Sequence, residues 1–141
     1  MSHDRVSVLL VEDDDVDAEA LIRSLHRSQV PIDLVWAEDG VEGLQVLRGQ
    51  HEYLTISPPV IVLLDLNMPR MDGFEFLHAL RGDPALHDLV VFVLTTSAVD
   101  ADRTRAYHEN IAGYLVKSSV GPQFARLARM LLSYQSAVTL P

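Results

Sequence analysis

The sequence predicts an α/β domain in which five parallel strands form one doubly wound sheet flanked by five helices. Two observations predict it. Five short apolar runs, rich in Val, Leu and Ile, are mostly continuous rather than alternating, as strands buried on both faces are. The stretches that follow them carry apolar residues at helical spacing, so strand and helix alternate five times along the chain.

The first run covers residues 6–11. After it, Ala18, Leu21, Ile22 and Leu25 fall at i, i+3, i+4 and i+7, with Arg23 and Arg27 on the other side. The second run covers 34–37 and leads into a shorter helix over 41–47. Residues 48–59 are longer than a usual connection and end in Ser57, Pro58 and Pro59, which reads as a surface insertion before the third run, 60–64. Phe74, Leu77 and Leu80 repeat the helical stripe after Gly73. The fourth run covers 89–94. Residues 100–109 after it are helical by propensity but poor in large apolar side chains, so this helix is expected to be the least firmly docked. The fifth run covers 113–116, and Phe124, Leu127, Ala128 and Leu131 form the last stripe after Pro122. One domain over 1–141 is expected, with a core at about 6–134 and a short C-terminal tail.

Composition bounds the function. The chain has 141 residues, 48% of them hydrophobic, which fits one core that buries about two-thirds of the unfolded surface. With 11 basic and 20 acidic residues the net charge is −9, which argues against nucleic acid, whose phosphates call for clustered Lys and Arg. The absence of cysteine excludes disulfide scaffolds, thiolate catalysis and cysteine zinc sites. Charges at Asp4 and Arg5 do not fit a secretory signal, and no apolar run is long enough to span a membrane, so a cytoplasmic protein is expected. The six histidines, His3, His26, His51, His78, His87 and His108, lack metal-ligand spacing and read as surface residues.

Ligands of open α/β sheets bind outside the carboxyl ends of the strands. Just past the first run stand Glu12, Asp13, Asp14 and Asp15; past the third, Asp65, Leu66, Asn67, Met68 and Pro69; past the fourth, Thr95, Thr96 and Ser97; past the fifth, Lys117, Ser118 and Ser119. Closely spaced carboxylates repel one another unless a cation neutralises them, and Mg²⁺ suits that role while leaving positions open for phosphate. A carboxylate beside the metal can act as a nucleophile on phosphorus, with a lysine and a hydroxyl stabilising the transferred oxygens. Asp14, Asp15 and Asp17 read instead as the start of the first helix, with Asp14 or Asp15 as its N-cap.

Four motifs together resemble the receiver domain of two-component response regulators, over nearly the whole chain. They are Val11-Glu12-Asp13, the block from Asp65 through Leu66-Asn67-Met68-Pro69-Arg70-Met71-Asp72 to Gly73, Leu94-Thr95-Thr96, and Tyr114-Leu115-Val116-Lys117. The resemblance implies the flavodoxin-like strand order 2-1-3-4-5 and a phosphorelay role, with Asp65 as phosphoacceptor. It implies Mg²⁺ held by Asp13, Asp65 and the Asn67 carbonyl, with Glu12 acting largely through water. Lys117 and the Thr95 hydroxyl would hold the phosphoryl oxygens. Thr95 and Tyr114 would be the switch, read on the face of the fourth helix, fifth strand and fifth helix; Tyr114 equally fits an ordinary half-buried aromatic. The Asn67 side chain and Ser97 are candidates for tuning the lifetime of the phosphoryl bond.

Where the family usually has proline after the lysine, this chain has Ser118. A cis bond there would cost about 2.5–4 kcal/mol, so either the Lys117–Ser118 peptide is an unusual cis bond or Lys117 arrives by another backbone path. Two other functions compete. A small phosphatase of the haloacid-dehalogenase kind uses a similar residue set, but needs a second Asp two residues after the nucleophile to protonate the leaving group; here that residue is Asn67. A phosphorylation-independent adaptor is supported only by Ser118, against an intact Glu12, Asp13, Asp65, Thr95 and Lys117.

The receiver resemblance implies a sensor histidine kinase as partner, without enzymatic turnover beyond the protein's own phosphorylation and slow dephosphorylation. The crowded acidic start over 12–17 and the insertion after Leu47 resemble single-domain regulators paired with phytochrome-type kinases. Beyond its core stripe the last helix carries Met130 and Leu132, and Val138 and Leu140 follow. If contiguous and exposed, they predict a homodimer through the last strand and helix; if the tail folds back on the helix, they are internal packing.

Overall fold

The computed structural model describes residues 5–121 and 124–141; His3 and the Pro122 that precedes the last stripe lie outside the described residues. Five parallel strands form one sheet in the order β2-β1-β3-β4-β5, the order the sequence resemblance implies. They are β1 (Val6–Val11), β2 (Ile32–Ala37), β3 (Val60–Leu64), β4 (Val90–Thr95) and β5 (Gly113–Val116). The helices are α1 (Asp15–Arg27), α2 (Gly40–Leu47), α3 (Gly73–Arg81), α4 (Asp100–Tyr107) and α5 (Ala125–Ala137).

The continuous apolar runs are explained by two cores, one on each face of the sheet. Leu9, Val11, Val62, Leu64, Val91 and Val93 point to one face, where Leu44, Phe76, Leu77, Leu80 and Ala106 from α2, α3 and α4 cover them. Their neighbours Val8, Leu10, Ile61, Leu63, Phe92 and Leu94 point to the other, under Ala18, Leu21, Leu25, Leu127, Ala128 and Leu131 from α1 and α5. Side chains alternate across a strand, so a strand buried twice has to be apolar throughout.

Several boundaries differ from the sequence reading. β2 starts two residues earlier, at Ile32, because β1 pairs with it from Val6↔Ile32 onward. β4 runs one residue later, to Thr95, which pairs with Val116. α4 stops at Tyr107 and buries only Ala106, in line with its apolar-poor sequence. α5 starts at Ala125; Phe124 precedes it in the left-handed region at φ 59° yet keeps its ring buried.

The stretch over 48–59 has no helix or strand, but it is not wholly superficial: Leu54 and Ile56 pack against the first core. His51 pins it and is not the surface histidine expected, its side chain being 7% exposed. Its Nδ1 accepts the N–H groups of Tyr53 and Leu54, so Nε2 carries the proton and donates to Glu42 Oε2 at 3.3 Å. Of the C-terminal apolar residues, Met130 and Leu140 pack on the second core, whereas Leu132 and Val138 remain exposed.

At the opposite edge from the strand ends, Arg81 closes the end of α3. Its guanidinium donates to the carbonyls of Glu109, His87, Leu89 and Asn110 at 2.7–3.0 Å, tying α3 to the chain entering β4 and β5. Arg81→Ala is expected to lower stability by about 2 kcal/mol, as loss of hydrogen bonds from a charged donor does, read as a lower urea midpoint with an unchanged slope.

Candidate functional site

Parallel strands bring their carboxyl ends to one edge, and the β1–β3 register decides what meets there. Val11 pairs with Leu64, so Glu12 and Asp65 follow side by side, and the Asp65 N–H donates to the Val11 carbonyl at 3.0 Å. Glu12, Asp13 and Asp65 each offer a carboxylate oxygen within 4.8 Å of the others. Glu12 and Asp65 are buried and Asp13 is exposed.

Lys117, just past β5, reaches across the end of β4 to this cluster. Its Nζ donates to Glu12 Oε1 and to Asp17 Oδ2, both at 2.7 Å, and lies 3.7 Å from Asp65 Oδ2. The Lys117–Ser118 peptide is trans, and the chain turns through one 3₁₀ turn, Lys117–Ser119. Serine in place of the family's proline therefore does not prevent the lysine from arriving.

Desolvation dominates the electrostatics. Burial, with Asp65 nearby, pushes the Glu12 carboxyl up to about 7 against the opposing pull of Lys117. Burial alone would lower the Lys117 pKa, but hydrogen bonds to Asp17 and Glu12 outweigh it and raise the ammonium above its ordinary value. Partial desolvation and the Asp65 charge also raise the Asp13 carboxyl. Such a cluster resists carrying all its negative charge unaided, which is the condition for binding a dication.

The remaining expected residues surround it. Thr95 is completely buried at the end of β4, and its Oγ1 accepts the Ser97 N–H at 3.4 Å. The Asn67 side chain is exposed, while its backbone N–H points at Asp65 Oδ1 at 3.4 Å. Tyr114 is half-buried on β5 and its hydroxyl donates to the Ser97 carbonyl at 3.0 Å. Burial raises the phenol's pKa.

Two participants escaped the sequence reading. Asp14 is the N-cap, its Oδ1 accepting the N–H groups of Val16 and Asp17, as expected. Asp17, however, does more than favour the helix dipole: its carboxylate is spent on Lys117. Its place in the first turn of a helix that starts at the site was the clue available. Trp36, in β2, donates its indole N–H to the Glu12 carbonyl at 2.8 Å, and nothing in the local sequence marks that contact.

Residues 8–129 match the response regulator receiver domain family. The chain belongs to that family. Response regulator Rcp1 of Synechocystis sp. is 33% identical over 135 residues, covering 95% of this chain and 92% of Rcp1. The probable methanogenesis regulatory protein FilR2 of Methanothrix harundinacea is 38% identical over 116 residues, 82% of this chain and 74% of FilR2. Among solved structures, the Mn²⁺-bound form of Rcp1 superposes with a TM-score of 0.83 at 33% identity, covering 96% of this chain and 98% of that one. The phosphorylated cyanobacterial phytochrome response regulator RcpA superposes with a TM-score of 0.82 at 33% identity, over 98% and 99% of the two chains. The fold is thus the receiver's flavodoxin-like sheet, and the function is that of a receiver in two-component signalling rather than of a haloacid-dehalogenase-like phosphatase. Among the described residues no helix is long and apolar enough to cross a membrane.

Gly73 couples fold to site. A β-carbon there would lie 2.6 Å from the Asp65 carbonyl oxygen and 2.6 Å from Leu66 Cα, both backbone atoms on the acceptor loop. Gly73→Ala is expected to cost about 2–3 kcal/mol, as overpacking against atoms that cannot rotate away does. Gly82→Ala, at the end of α3 with φ −83° and only ordinary contacts, is expected to lose nothing. Urea denaturation of the two variants side by side checks the difference.

Proposed function

We propose that this receiver takes a phosphoryl group onto Asp65 from the phosphohistidine of a sensor kinase and passes the change on by protein contact. The observation that carries this reading is Asp65 buried at the carboxyl edge of the sheet, with the Lys117 ammonium 3.7 Å from its Oδ2 and two further carboxylates beside it. An Asp65 oxygen forms the new P–O bond as the P–N bond to the donor imidazole breaks, the electron pair going to the ring nitrogen. Lys117 and the Thr95 hydroxyl hold the phosphoryl oxygens as charge redistributes.

The carboxylates of Glu12, Asp13 and Asp65 are hard oxygen donors that fit Mg²⁺. In this reading Asp13, Asp65 and the Asn67 carbonyl hold the ion, with Glu12 acting largely through water while bonded to Lys117. When bound, Mg²⁺ supplies the positive charge that lets acceptor and phosphoryl group approach. Asn67 cannot donate a proton to a leaving group as an acid would, so the chemistry stays confined to the protein's own aspartate and is no multiple-turnover phosphatase.

Thr95 and Tyr114 serve as the switch. The support is their common neighbour: Ser97 donates its N–H to Thr95 and accepts from the Tyr114 hydroxyl. The output face is then α4, β5 and α5. Similarity to the phytochrome response regulator RcpA supports a phytochrome-type kinase as donor, acting in the cytoplasm. β5 is an edge strand, and the exposed Leu132 and Val138 on and beyond α5 support a homodimer through that strand and helix.

Incubated with acetyl phosphate and Mg²⁺, the chain is expected to gain the mass of one phosphoryl group; EDTA or Asp65→Asn abolishes the gain. Sustained phosphate release from an aryl phosphate would instead favour the phosphatase chemistry. For the assembly, light scattering at tens of micromolar is expected to give twice the chain mass with a beryllofluoride phosphoryl analogue, and a monomer with and without it removes the dimer.

A further inference from the structure

We infer that Asp17 is a positioning residue that holds the Lys117 ammonium off Asp65 and so keeps the Asp65 carboxylate open to a divalent cation. The inference rests on the reading of Asp65 proposed above. An ammonium has three N–H groups, and Lys117 commits two of them, to Glu12 Oε1 and Asp17 Oδ2, each at 2.7 Å. Asp65 Oδ2, at 3.7 Å, lies beyond a hydrogen bond. A shift of roughly 1 Å would close it into a direct ion pair.

Asp17 opposes that shift from a fixed base. It lies in the first turn of α1, and the Asp14 carboxylate caps that turn by accepting the N–H groups of Val16 and Asp17. Glu12 cannot hold the lysine away in the same way, because it stands directly beside Asp65 and draws the ammonium toward the acid pair. The lysine backbone gives little help either, since it opens a short 3₁₀ turn whose next residues, Ser118 and Ser119, are exposed. Without the Asp17 carboxylate one N–H is released, and Asp65 Oδ2 is the acceptor already within reach. A lysine paired directly with Asp65 would occupy the lone pairs a cation needs and repel that cation.

Trp36 supplies the readout, being the chain's one tryptophan and bonded to the Glu12 carbonyl at 2.8 Å. The metal-stripped full chain is titrated with MgCl₂, following Trp36 emission and, in parallel, heat by calorimetry. Asp17→Asn is expected to weaken Mg²⁺ binding about tenfold, the scale of losing a residue that orients a metal's surroundings. Asp17→Glu is expected to restore most of it. Asp15→Asn removes the same charge from an exposed neighbour in the same turn and is expected to stay within about twofold. In a Lys117→Met background, Asp17→Asn is expected to change affinity no more than Asp15→Asn does. The inference is overturned if Asp17→Asn matches Asp15→Asn while Lys117 is present, or if Asp17→Asn weakens binding equally without it. A wild-type chain that binds no Mg²⁺ by either readout overturns the reading of the whole site, a result distinct from both.

Discussion

Two strands that lie side by side in parallel each end in an acid, and most of what is distinctive in this molecule answers to that constraint. Glu12 and Asp65 are both buried and adjacent because Val11 and Leu64 are in register. Like charges so placed raise the cost of ionising both acids unless positive charge stands among them. Lys117 supplies it from the far side of β4, and the left-over acidity is what a cation would answer. The order of the strands is therefore also an arrangement of charge.

The loop that carries Asp65 is shaped with little tolerance. Gly73 lets α3 start against the backbone of Asp65 and Leu66, and the reciprocal bonds of Asp72 and Glu75 cap that helix start. Trp36 braces the partner acid from the other side through the Glu12 carbonyl. Both buried acids are thus held by main-chain contacts.

The double burial of the strands made the sheet legible in sequence, since only a strand covered on both faces has to be apolar at every position. The strand-end residues Glu12, Asp13, Asp65, Thr95 and Lys117 were legible for a related reason, each being a polar residue within two positions of the end of such a run. Asp17 was not, because an acid in the first turn of a helix already has an adequate local explanation, and only the fold shows that its carboxylate faces a lysine 100 positions away. His51 was hidden likewise: its partners are two N–H groups of its own loop and a glutamate nine residues back, with no spacing to announce them. The left-handed turn at Phe124 left no trace either, since a buried phenylalanine fits the helical stripe whether or not its backbone does.

α4 buries a single alanine and has no side-chain N-cap. What fastens it is polar: Ser97 Oγ donates to Asp102 at 2.6 Å, and the Arg105 guanidinium lies 4.0 Å over the Phe74 ring. Segments secured in this way sit at the low end of the local-opening spectrum, because water can replace their fastenings and no oily face has to be exposed. In the language of cooperative units, α4 is the piece that can exchange conformations while the sheet beneath it stays folded, and its amide protons would report that looseness first.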